Sequence, residues 1–170
     1  MLIQASTILN LPVAAIEEKA KIGTVKNLII NPENGELIGL IVRKTGFIFS
    51  TNKILSGHDI LDIDKNGVVT RKEENLVDIK EVIRIKKIIS SKICVLNQKA
   101  VTQSGKYLGR VNDLLIESET LSIVKYYIHG IIEDKIFPAN KVIEITKKAV
   151  IFFDDVIESV SATEMEGAAA

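Results

Sequence analysis

The stretch Lys21 to Val42, KIGTVKNLIINPENGELIGLIV, returns at Tyr107 to Ile128 as YLGRVNDLLIESETLSIVKYYI when the chain is shifted by 86 positions. No gap is needed. Gly23 meets Gly109, Val25 meets Val111, Asn27 meets Asp113, Leu28 meets Leu114, Ile30 meets Ile116 and Glu33 meets Glu119. Positions without identity match in kind, as Ile22 does with Leu108 and Ile41 with Tyr127. A repeat of this length makes the 170 residues two copies of one unit of roughly 80 residues. We expect a first domain over 1–75, a connector over 76–90, a second domain over 91–158 and a disordered tail over 159–170, whose small and acidic residues have no periodicity.

Within each copy the apolar residues group into short runs separated by turn signals. Pro12 confines its neighbourhood to an edge or turn. Ala14 to Lys21 lies opposite the turn-forming TQSGK of the second copy, so both read as polar hairpin loops. Thr24 to Ile30 and Leu37 to Arg43 read as strands joined by Asn31-Pro32-Glu33-Asn34-Gly35, where Pro fixes φ and Asn-Gly supplies positive φ. In the second copy Glu117 to Thr120 must turn without glycine. Gly23 and Gly109 imply a bulge, a positive φ or a close backbone approach. Ile48 to Ile54 resembles Ile136 to Val142, and Ile60 to Ile63 resembles Val142 to Ile145. Both matches claim Val142, which places extra residues of the first copy around Ser56-Gly57-His58. The connector allows a short helix capped by Asn75, with Leu76, Ile79 and Ile83 on one face, or an extended segment. The whole is all-β: two tandem small antiparallel barrels.

The segment Ile22-Gly23-x-Val25-x-Asn27-Leu28-Ile29-Ile30 and its twin Leu108-Gly109-x-Val111-x-Asp113-Leu114-Leu115-Ile116 resemble the PRC-barrel family, as do the return strand Leu37 to Val42 and Asp59-Ile60-x-x-Ile63 with Val68-Val69. The resemblance implies small six-stranded barrels that act as docking or adaptor modules rather than enzymes. Gly23, Gly109, Asn27 and Asp113 are its structural positions. The family includes the cytoplasmic domain of a reaction-centre subunit and a domain of a ribosome maturation factor.

Candidate chemistry is sparse. Asp62-x-Asp64-x-Asn66-Gly67 with Glu73 fits the twelve-residue calcium-loop spacing. The matching place in the second copy, Glu144 to Ala149, keeps the strands without the ligands, so we expect a β-turn between strands. His58 and His129 belong to different copies at non-equivalent positions, and neither has ligand-spaced neighbours. Cys94, among Ile93, Val95 and Leu96, reads as a buried inert thiol. Arg84, Lys86, Lys87 and Lys92 form a basic run without interleaved aromatics, read as a solvated connector. No catalytic residue, cofactor site or metal site is assigned. The 22 basic and 22 acidic residues disfavour general nucleic-acid binding. No apolar run spans a membrane and no signal peptide is read, although peripheral membrane association stays open. We expect a cytoplasmic, non-catalytic adaptor for a protein partner, using Phe47 and Phe49 of the segment Gly46 to His58 or Tyr126 and Tyr127. The alternatives are a ribosome- or RNA-associated factor and a calcium-binding protein. Oligomeric state stays open.

Overall fold

Ile, Val or Thr, whose branching at Cβ favours a pleated backbone, occurs in every strand of the computed structural model, which describes residues 1–45 and 50–157. The first half contains β1 (Leu2–Gln4), one helical turn α1 (Ala5–Ile8), β2 (Pro12–Ala15), β3 (Ala20–Ile30), β4 (Leu37–Thr45), β5 (Ser50–Ser56), β6 (Ile60–Ile63), β7 (Val68–Thr70) and β8 (Leu76–Val77). Helix α2 (Ile83–Ser91) leads to β9 (Lys99–Thr102), β10 (Tyr107–Glu117), β11 (Ser122–His129), β12 (Asp134–Pro138), β13 (Val142–Ile145) and β14 (Ala149–Phe152).

These strands form two curled sheets in one order. The first runs β6-β7-β2-β3-β4-β5-β8 and the second β13-β14-β9-β10-β11-β12, with β1 added to β10. The sheets are not wholly antiparallel as expected. β2 runs parallel to β7, and β9 to β14, because the chain returns to the first strand's side only after the meander is complete. Pro12 does not lie on an edge; it opens β2, which is paired on both sides. The expected loop at Ala14 to Lys21 shrinks to the turn at 16–19, since alanines at both ends join the strands.

The repeated motif encodes irregularities. β3 and β10 each skip register at Ile22 and Leu108, again after Val25 and Val111, and a third time at Ile29/Ile30 and Leu115/Ile116. Such bulges bend a sheet and sharpen its twist. Gly109 adopts φ +138° at the first of them, and a Cβ there would lie 2.2 Å from the His129 carbonyl oxygen. A Cβ on Gly23 would meet Val42 and the Arg43 carbonyl.

Register also settles the competing echoes. Leu55 pairs with Leu40 as Phe137 pairs with Tyr126, so Ile60 to Ile63 corresponds to Val142 to Ile145. The match of Ile48 to Ile136 is wrong. The extra residues of the first half sit in the β4–β5 hairpin, which runs on through Lys44↔Thr51 and Thr45↔Ser50, and not around Ser56-Gly57-His58.

Asn75 does not cap a helix. Its side-chain amide donates to Thr70 Oγ1 at 2.9 Å, while Leu76 and Val77 extend the first sheet beside β5. The helix starts later and lays Ile85 against Ile29 and Ile54. Buried side chains of both sheets otherwise form one apolar cluster, from Ile8, Val25 and Leu40 to Val111, Leu114 and Phe152.

The halves meet reciprocally. Leu37 donates its N–H to the Leu121 carbonyl at 2.7 Å, and Ile123 donates to Gly35 at 3.2 Å. Shifting each donor and acceptor by 86 exchanges the two bonds. Glu36 bridges Ser122, its own counterpart. This is the pattern of a twofold, isologous contact.

Candidate functional site

Most predicted site residues serve the scaffold. In the β6–β7 hairpin the Asp64 carboxylate accepts from the Asn66 N–H at 2.7 Å, from the Asn66 side-chain amide at 2.9 Å and from the Gly67 N–H at 3.0 Å. These bonds, led by the Asn66 backbone, hold its carboxyl below the usual range. Asp62 is an exposed ladder residue, and Glu73 pairs with Lys44. The four residues of the calcium pattern are therefore spread over β6, the turn between β6 and β7, and the 3₁₀ turn Glu73–Asn75. Among the described residues no three His, Cys, Asp or Glu side chains gather to hold a metal ion.

Asn27 and Asp113 sit at the second bulge of β3 and β10. Asn27 Oδ1 accepts the Leu28 N–H at 2.9 Å, and Asp113 accepts that of Leu114 at 2.8 Å. Asp113, buried, also accepts the Ser6 N–H at 3.0 Å and the Ser6 hydroxyl. Asn27 is exposed and has no such partner among the described residues.

His129 is paired through Nδ1 with Asp134 at 2.6 Å across the β11–β12 hairpin, and both are exposed. His58 is exposed in the 3₁₀ turn Gly57–Asp59. Cys94 is not buried. It is exposed in the segment leaving α2, with Sγ 3.5 Å from the Leu96 carbonyl. Tyr126 cannot present a surface, being 1% exposed and edge-on to Phe152 at 5.7 Å. Burial raises its phenol pKa. Tyr127, on the opposite face of β11, is half-buried. Phe47 and Phe49 lie outside the described residues, as does the tail 159–170.

One feature escaped the repeat as read from sequence. Asn10 and Asn97 both adopt positive φ, and their N–H groups donate to Val25 and Val111 respectively. Val25 and Val111 donate back to Leu11 and Gln98, both at 2.9 Å. Each half thus opens with an arm, related by a shift of 87. The dipeptides Leu9-Asn10 and Leu96-Asn97 carry the signal. Where the second arm passes the first sheet it borders a cleft of about 290 Å³. Asn27, Ile29 and Ile41 form one wall; Ile88, Ile89 and Ile93 form the other, with Lys92 and Cys94 at the rim. Arg84, Lys86, Lys87 and Lys92 are exposed and make no ion pair among the described residues. Among those residues no helix is long and apolar enough to cross a membrane.

A family model described as PRC-barrel domain matches residues 1–90. No curated protein matches the chain.

Proposed function

The chain belongs to the PRC-barrel domain family, and from that premise we propose that it is a non-catalytic adaptor, built of two such barrels in tandem, that docks a protein partner. We read the domains as 1–75 and 91–158, joined by 76–90, of which Leu76 and Val77 still pair with β5. The observation that carries this reading is where the repeated polar residues act. Asn27 and Asp113 bond backbone N–H groups at equivalent bulges, and so build a scaffold. The parts unique to one half, α2 and its cleft, are where specificity resides. The partner meets the chain in the cytoplasm.

Affinity capture of the full chain from native cells, with and without nuclease, tests the proposal. A defined protein retained in both samples is the expected result. Turnover of a substrate that is lost in His58→Ala or His129→Ala would overturn it. The basic side chains of α2 favour a second reading, an RNA- or ribosome-associated factor. Capture abolished by nuclease, or co-sedimentation with ribosomes that falls with salt, would select it.

A further inference from the structure

The two halves treat one sheet edge differently. On β10, residues Leu115 to Glu117 carry β1 on the side away from β11, in the antiparallel register Leu2↔Glu117, Ile3↔Ile116 and Gln4↔Leu115. Ser6, just beyond, binds the Asp113 carboxylate through its N–H and hydroxyl. The same edge of the first sheet is Ile29 to Asn31, with Asn27 in the place of Asp113. Among the described residues Leu28 to Ile30 pair only with β4, and their outward backbone groups make no other backbone hydrogen bond. The arm that would lie there differs: by the shift of 87, the counterparts of Leu2–Gln4 are residues 89–91, the last turn of α2. Ser6 is replaced by Ile93, which has no hydroxyl. The cleft is the space left where the second half's arm is a helix instead of a strand.

We propose that this edge is a β-addition site, taking an extended segment of a protein partner antiparallel to Leu28 to Asn31. This rests on the adaptor reading and gives the partner's chemistry. The chain's own Leu2-Ile3-Gln4-Ala5-Ser6 shows what the geometry accepts: two adjacent apolar residues, then a hydroxyl two positions past the strand. By the shift of 86 the register is Leu2↔Asn31, Ile3↔Ile30 and Gln4↔Ile29. The incoming hydroxyl meets the Asn27 side-chain amide. Backbone pairing supplies affinity, and the isoleucine walls select the apolar side chains. Charge complements the occupant. Ile83 to Lys92 contains Arg84, Lys86, Lys87 and Lys92 and no acid, so the segment carries an acidic residue beside its apolar pair.

The test uses the full chain with ¹³C-labelled isoleucine methyls and a fluorophore on Cys94, its one cysteine. The probe is the octapeptide MLIEASTI, residues 1–8 with Gln4→Glu. Saturable shifts of the Ile29, Ile41 and Ile88 methyls, with the same Kd from the fluorophore, are expected. The peptide MLIKASTI should bind several-fold more weakly, and MLPEASTI, which lacks the central N–H, should not bind. Ile88→Trp, which fills the cleft from a half-buried position, should abolish binding while methyl dispersion reports a folded chain. Asn27→Ala, an exposed change, should weaken it. No saturable shift up to about 2 mM peptide overturns the proposal. So do shifts confined to Ile116 and Ile123, which mean exchange with β1 alone. So does poly(U) moving the same methyls in a salt-dependent way, which assigns the face to nucleic acid. Partner capture from cells that survives Ile88→Trp overturns the site and leaves the adaptor reading standing. Peptide binding with no protein captured supports the site and removes that reading.

Discussion

Leu121 holds, at φ +53°, the place that Gly35 holds at φ +69° in the first half. The turn needs this left-handed residue whether or not the sequence supplies glycine, and a leucine there costs about 1–2 kcal/mol. Its side chain packs against the shared apolar cluster, which offsets the strain. The glycine was legible as a turn signal; the leucine was not, because packing rather than propensity selects it. Gly109 is more demanding, combining φ +138° with a carbonyl 2.2 Å from any Cβ. Gly109→Ala should cost about 2 kcal/mol or more, and Gly35→Ala only about 1 kcal/mol, both read from urea denaturation. Two carboxylates held by backbone N–H groups contribute to the acid limit. The Asn66 N–H lowers the pKa of Asp64, and the Ser104 N–H lowers that of Asp154. A depressed folded pKa gives stability that is present above the unfolded value near 4 and lost as pH falls through the folded one. The Tm should therefore drop on acidification below about pH 4, and Asp64→Asn should flatten that drop. Cys94 was misjudged for a related reason: its apolar neighbours belong to an arm with one face on the core and the other in solvent.

At the scale of elements, the glycine-led motif is a recipe for bending one long strand. Its spacing was plain in the sequence, but the bulges were not, since a register shift is a relation between two strands. The same limit explains the misplaced echo around Val142. An apolar run aligned on composition alone slid across a hairpin extension. The arms were missed because their shift is 87 and not 86, so a gapless comparison passes over Leu96-Asn97. Asp113 ties the first arm to the second sheet through two donors, the N–H and hydroxyl of Ser6. Ser6→Ala should cost about 1–3 kcal/mol, since a buried acceptor loses its hydroxyl partner. Asn27→Ala should cost less, because Asn27 is exposed. Paired urea titrations decide this; equal costs would mean that the first arm is not anchored through Asp113.

At the scale of the whole molecule, the repeat declared two similar halves, and the structure adds that they share a core and exchange arms. Nothing in a single sequence states an exchange, because it depends on which half each arm meets. The halves should therefore unfold together, with calorimetric and van't Hoff enthalpies in agreement. Leu37→Ala, fully buried where the halves touch, should cost about 2–5 kcal/mol without splitting the transition. Two resolved transitions would show independent halves. The reciprocal contact around Glu36 and Ser122 has a further consequence. Two identical chains related by such an axis must carry every substitution twice. Once joined by a peptide bond, they are released from that copying rule. One arm stays a strand while the other becomes a helix, and each is free to vary without the other. Symmetry supplies the frame, and covalent linkage permits a division of labour that no pair of identical subunits can reach.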